Sequence, residues 1–211
     1  MRAVPGDLSV KRLGRVEYAP TLEAMRSFTA RRGAGTADEI WLLEHPPVYT
    51  LGQAGDPAHG PGEAGTIPVV RVDRGGQVTY HGPGQVVLYA LVDLARRGIK
   101  VREFVRMLER AAIDTLAAHG VRAECRPGAP GVYVDGAKVG ALGLRVTRGR
   151  CYHGLALNVD CDLAPFAAID PCGYPGLAVT STRVLGIAAG TAEIGGQLAS
   201  RLREQLEHVH A

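Results

Sequence analysis

Residues 74–85 constrain this chain more than any other stretch. They read R-G-G-Q-V-T-Y-H-G-P-G-Q, with glycines at 75, 76, 82 and 84 and a proline at 83. Strand-like runs flank them, I-P-V-V-R-V at 67–72 and V-V-L-Y-A-L-V at 86–92. Glycine takes positive φ and lets backbone approach a ligand closely. Such a segment is a hairpin connection or backbone wrapped around a small molecule. Arg74, Tyr80 and His81 within it favour the second reading.

The remaining pattern predicts strands at 8–18, 39–44, 67–72, 78–81, 85–92, 121–125, 131–134, 138–147 and 152–160. Asp135–Gly136 is a type I′ hairpin signal that would pair 132–134 with the run after it. Helical spacing covers Thr21–Arg32, Val101–His119 and 191–208. In the second, Val101, Val105, Leu108 and Ala112 share a face and Gly120 closes the end. In the third, Ile194, Leu198, Leu202 and Leu206 recur every four residues behind Thr191 as expected N-cap. A few helices among many strands, with a tight hairpin, imply an α/β fold of the α+β kind around a mixed sheet. The Gly-, Ala- and Pro-rich stretch 52–65 reads as a mobile loop.

The length of 211 residues fits one domain over 1–211. A net charge of +3 and 5% aromatics are too little for a nucleic-acid surface. No apolar run of membrane-spanning length occurs, and the N-terminus lacks the apolar core of a signal peptide. Cys125, Cys151, Cys161 and Cys172 have no paired metal-ligand spacing. No nucleic acid, membrane or metal is therefore expected, and the expected compartment is the reducing cytoplasm. Cys125, Cys151 and Cys161 read as structural.

Cys172 differs, because I-D-P-C-G-Y-P-G at 169–176 puts it on a loop shaped by two prolines and two glycines. A free thiol is mostly protonated at neutral pH, and a nearby ammonium would favour its anion. Lysine occurs only at 11, 100 and 138, and Lys138 lies among small residues just past the hairpin turn. Its alternatives are a solvated strand lysine and a partly buried cation beside a ligand. His81 has a functional claim from its glycine-rich setting, whereas His153 alternates with apolar residues and reads as a core histidine. No hydrolase elbow, P-loop or dinucleotide fingerprint is present.

Four segments together resemble the octanoyl-acyl-carrier-protein:protein N-octanoyltransferases, the lipoyl(octanoyl) transferases. They are 74–85, G-A-K-V-G-A-L-G-L-R at 136–145, H-G-L-A-L-N-V at 153–159 and D-P-C-G at 170–173. The resemblance implies a fold like that of biotin and lipoate protein ligases and an acyl transfer without cofactor. It implies octanoyl-acyl carrier protein as donor. The implied acceptors are lipoyl domains of 2-oxoacid dehydrogenase subunits and the glycine cleavage H protein. Carried over by position, Cys172 is the acyl-thioester nucleophile and Lys138 its activator. Arg74, Gly75, Gly76, Gln77, Val78, Thr79, Tyr80, His81, Ala141, Leu142, Gly143, Gly154, Leu155 and Ala156 would line the substrate site. Small side chains at Gly140, Ala141, Gly143, Gly154 and Ala156 would leave room for the chain, and Arg96, Arg97, Arg145 or Arg148 would steer acidic partners. The competing readings are an ATP-dependent lipoate or biotin ligase and a non-catalytic module binding lipoyl domains or acyl carriers.

Overall fold

The computed structural model describes residues 8–62, 66–170 and 176–208. Its strands are β1 (Leu8–Arg15), β2 (Asp38–Glu44), β3 (Val48–Leu51), β4 (Val69–Arg71), β5 (Val78–His81), β6 (Gln85–Asp93), β7 (Glu124–Arg126), β8 (Ala129–Val134), β9 (Ala137–Thr147) and β10 (Arg150–Asn158). The α-helices are α1 (Tyr18–Arg31), α2 (Val101–Ala117) and α3 (Thr191–His208). A seven-stranded sheet has the order β1-β2-β6-β10-β9-β8-β7, and a three-stranded sheet the order β4-β3-β5. In the large sheet only β1 and β2 are parallel; in the small one only β3 and β4 are. The expected mixed α/β architecture is present.

Strand β6 explains the layering. All of its residues are buried, because each face of the sheet is covered. Val86, Leu88, Ala90 and Val92 point to one side, onto Phe104, Leu108 and Leu116 of α2 and Ile194, Leu198 and Leu202 of α3. Val87, Tyr89 and Leu91 point to the other, onto Leu22 and Met25 of α1. Each such apolar side chain contributes about 1.5–3 kcal/mol. Asp135 and Gly136 take φ of 47° and 87°, the signs a type I′ turn requires, and join β8 to β9 as expected. Gly120, at φ 77°, ends α2 with Val121 N donating to Leu116 O.

Several expectations need correction. β3 has no counterpart in the sequence reading, since only four residues separate Pro46–Pro47 from Gly52. Helix α1 begins earlier, at Tyr18, where Pro20 costs nothing because first-turn N–H groups have no helical acceptor. Val101 is exposed; the buried stripe of α2 runs through Phe104, Leu108, Ala111 and Leu116. Thr191 is the first residue of α3, and its hydroxyl donates to Glu44 Oε1 at 2.8 Å instead of capping. Cys125 is exposed, whereas Cys151 and Cys161 are buried.

Residues 52–62 are tied down. A 3₁₀ turn at Pro57–His59 is capped by Asp56, whose amide donates to Gln77 Oε1, and His59 Nδ1 meets Asp170 Oδ2 at 2.9 Å. Arg96 and Arg97 are also not steering groups. With Arg32 they close on Asp38, whose side chain is fully buried. A carboxylate that has left water is stabilised only by such cations, and the cluster fastens the end of α1 to β2 and to the turn after β6.

Candidate active site

A cleft lies where the small sheet and the glycine-rich segment meet β9 and β10. It encloses about 720 Å³ of atom-free space, its mouth included. Of the residues expected at the site, Arg74, Gly76, Gln77, Val78, Thr79, His81, Lys138, Ala141, Leu142, Gly143, Gly154, Leu155 and Ala156 line it. Gly75 and Tyr80 do not. Gly75 donates its N–H to Leu144 O at 2.8 Å and so pins the loop to β9. Tyr80 turns away and packs on Tyr49 and Phe166. Cys172 lies outside the described residues. The lining also includes Tyr18, Tyr89, His153, Asn158 and Val179, none of which the sequence marks as a site residue.

Local backbone explains why the lining is continuous. Ala141 faces Ala156 and Gly143 faces Gly154 across the ladder. At Gly154 a Cβ would lie 2.1 Å from Leu88 O, and at Gly143 2.9 Å from Gly75 O. These glycines let three backbone layers close up beside the slot.

Simple alternation would put Lys138 on the face opposite Ala141 and Gly143. It does not, because β9 carries a bulge where Val132 pairs with Gly140 but Tyr133 pairs with Lys138. The extra residue re-aims the side chain. Lys138 is 4% exposed. Its Nζ donates to Pro130 O at 3.1 Å and lies 5.4 Å from the Tyr133 ring centroid. Its backbone receives the segment after Cys172: Lys138 N donates to Ala178 O at 2.8 Å, and Thr180 N donates to Lys138 O at 2.9 Å.

A chain of hydrogen bonds connects the glycine-rich segment to that same passage. His81 Nδ1 meets Gln85 Oε1 at 2.7 Å, Gln85 Nε2 donates to Asn158 Oδ1 at 2.9 Å, and Asn158 Nδ2 donates to Thr180 O at 3.0 Å. Since amide oxygens only accept, this order places the His81 proton on Nδ1. Burial pushes His81 down to about 3 and His45 to about 4. His45 accepts at Nε2 from Tyr89 OH, 2.8 Å away. Arg74 is buried, with Nη2 donating to Thr50 O at 2.7 Å and Nη1 to Gly75 O at 3.0 Å.

His153 is not an ordinary core histidine. It is 1% exposed and lines the cleft, with a φ of 63° inside a strand. Its Nε2 meets Asp73 Oδ1 at 3.0 Å; Asp73 Oδ2 accepts from Tyr152 OH at 2.7 Å and from Arg26 Nε at 3.1 Å. Burial alone would raise the Asp73 carboxyl, but the His153, Tyr152 and Arg26 contacts outweigh it and hold it far below the usual range. Among the described residues no group of three or more His, Cys, Asp or Glu is placed to hold a metal, and no helix is long and apolar enough to cross a membrane.

The model of the lipoyl protein ligase A/B catalytic domain matches residues 17–194. An octanoyltransferase of Aromatoleum aromaticum is 62% identical over 203 residues, covering 96% of this chain and 87% of the relative. One from Thiobacillus denitrificans is 68% identical over 180 residues, covering 85% and 82%. This chain belongs to the lipoyl protein ligase A/B family, among its octanoyltransferases. Its fold is shared more widely. Lipoate-protein ligase A bound with ATP superposes with a TM-score of 0.71 at 14% identity, over 97% of this chain and 86% of that one. Biotin protein ligase of Aquifex aeolicus, in complex with biotin and ATP, gives 0.60 at 11%, over 94% and 70%. The octanoyltransferase chain thus keeps the ligases' architecture at an identity that speaks for fold alone.

Proposed function

We propose that residues 1–211 act as one cytoplasmic catalytic domain that moves an octanoyl group from acyl carrier protein to a lysine of lipoyl-domain proteins. The acceptors are 2-oxoacid dehydrogenase subunits and the glycine cleavage H protein. The reaction runs through an acyl-Cys172 thioester and needs no cofactor. The observation that carries the reading is Lys138. It is a buried cation at an apolar slot, bonded through its backbone to the passage six positions beyond Cys172. The names of the octanoyltransferase relatives supply the acyl group.

The chemistry follows from the residue types. The Lys138 ammonium favours the Cys172 thiolate. That sulfur attacks the donor thioester carbonyl; a new S–C bond forms, the donor C–S bond breaks, and the carrier thiolate leaves as a thiol with the proton given up by the Lys138 ammonium. Exchange between thioesters is nearly isoenergetic, so no nucleotide is required. The acceptor amine then attacks acyl-Cys172 while the neutral Lys138 amine takes its proton; the amide forms and the Cys172 thiolate departs. Splitting the transfer in two gives ping-pong kinetics. The Ala and Gly track on β9 and β10 accommodates the chain, at about 0.8 kcal/mol per buried methylene.

Intact mass after mixing with octanoyl-acyl carrier protein tests this. A gain of one octanoyl group that is absent in Cys172→Ala is the expected result. Pyrophosphate release from lipoate and ATP, with loading unaffected in Cys172→Ala, would replace this reading by the ligase one.

A further inference from the structure

We propose that Tyr133 is the positioning residue of Lys138: its ring holds the ammonium at the slot without neutralising it. Resting on the acyl-transfer reading above, this role adds the group that keeps the activating cation in place.

The pairing begins in the hairpin. The Asp135–Gly136 turn makes Tyr133 of β8 and Lys138 of β9 cross-strand partners, so both side chains leave the same face of the sheet. Gly131, two residues before Tyr133 on that face, leaves the room in which Lys138 Cε and Nζ lie; a Cβ there would be 2.5 and 3.0 Å from them. Nζ lies 5.4 Å from the Tyr133 ring centroid, within reach of a cation–π contact. Tyr133 is 1% exposed and Lys138 4%. Water competes little for the ammonium at that depth. The contact therefore belongs at the strong end of its range, a factor of about 30 in an equilibrium.

The ring is itself fixed. Tyr133 OH donates to Ala129 O at 3.1 Å, which lays the ring back along its own strand. The Arg126 guanidinium of β7 lies over it, 4.5 Å from the centroid. The charged groups around this pair are Arg126 and Glu124 from β7, which lie 3.5 Å apart, and Glu109 of α2, whose Oε1 accepts from Gly131 N at 3.0 Å.

A ring suits this cation better than a carboxylate would. A carboxylate beside Nζ would cancel its charge, and the field at a neighbouring sulfur would fall with it. The Pro130 carbonyl and the Tyr133 ring both attract a cation, and neither carries a net charge. The lysine stem is flexible, so without the ring the ammonium samples other rotamers and its field at the slot weakens. Tyr133 does not line the cleft, so it acts through Lys138.

Octanoyl loading from acyl carrier protein, read by intact mass across pH, tests this. Tyr133→Phe keeps the ring and should load at about the wild-type rate. Tyr133→Leu removes the π face and should load about 2- to 30-fold more slowly at neutral pH, recovering at alkaline pH, where the thiol ionises unaided. Phenylalanine at position 133 carrying one, two and three ring fluorines keeps the shape while draining the negative face. The neutral-pH rate should fall in that order. In a Lys138→Met background all of these changes should leave the rate unchanged. A merely structural tyrosine would slow loading at every pH and in both backgrounds, with no grading by fluorine. One flat rate across the fluorinated series overturns the positioning role, whether or not Tyr133→Leu folds. Equal slowing by Tyr133→Leu with and without Lys138 does the same. Both results leave acyl transfer intact. Failure of the wild type to load octanoyl overturns the transfer reading, and the positioning role with it.

Discussion

Gly131→Ala should disable the Lys138 geometry without touching Lys138. Gly131 sits on β8 opposite Ala141, at φ 140°. A Cβ there would lie 2.5 Å from Lys138 Cε, 3.0 Å from its Nζ and 2.7 Å from Gly140 O. The first two contacts can relax only if the lysine leaves its place; the third is backbone and cannot move cheaply. Holding alanine at this φ costs on the order of 1–3 kcal/mol. Losing the Nζ to Pro130 O bond adds about 1 kcal/mol. A destabilisation of about 2–4 kcal/mol is therefore expected, read as a lower urea midpoint at unchanged slope. It should appear as a Tm about 4–16 °C lower. Octanoyl loading at neutral pH should fall by about tenfold or more, because a displaced ammonium no longer favours the thiolate. The double variant Gly131→Ala/Lys138→Met should be no slower than Lys138→Met alone, since both lesions remove one interaction. A Gly131→Ala protein within about 0.5 kcal/mol of wild type, loading normally, would refute the argument.

Two further outcomes are expected. His45 and His81 have folded-state values near 4 and 3, lowered by burial, below the ordinary 6.5 of an unfolded histidine. The unfolded chain therefore takes up protons first as pH falls. The stability held by the neutral rings is complete above about pH 6.5 and declines toward pH 4, by about 2 kcal/mol per histidine at pH 5. Urea midpoints at pH 7.5 and 5 should converge in His45→Gln and in His81→Gln, and an unchanged pH slope would count against the burial argument. Lys138→Ala should stay folded, load slowly at neutral pH and recover partly at alkaline pH, where the thiol ionises unaided; an unaltered pH–rate profile would remove the activating role given to this lysine.

The sequence by itself determined the elements and most of the cleft. An unbroken apolar run locates β6, and alternation and helical spacing locate β8–β10, α2 and α3, because such burial patterns are a local property. Asp135–Gly136 announces its own turn, and the glycine-rich motifs mark where backbone must run close. It was silent where the outcome depends on distant neighbours. The four residues of β3 are fixed only by pairing with β5 and β4. Arg96 and Arg97 read as surface charges until Asp38, in another strand, draws them inward. Lys138 shares a face with Ala141 because of a bulge, and His153 faces the slot because its backbone is left-handed. Residue type leaves both choices open. The packing of adjacent strands and the Asp73–Tyr152–Arg26 network decide them, since only the assembled sheet offers the contacts that offset the strain.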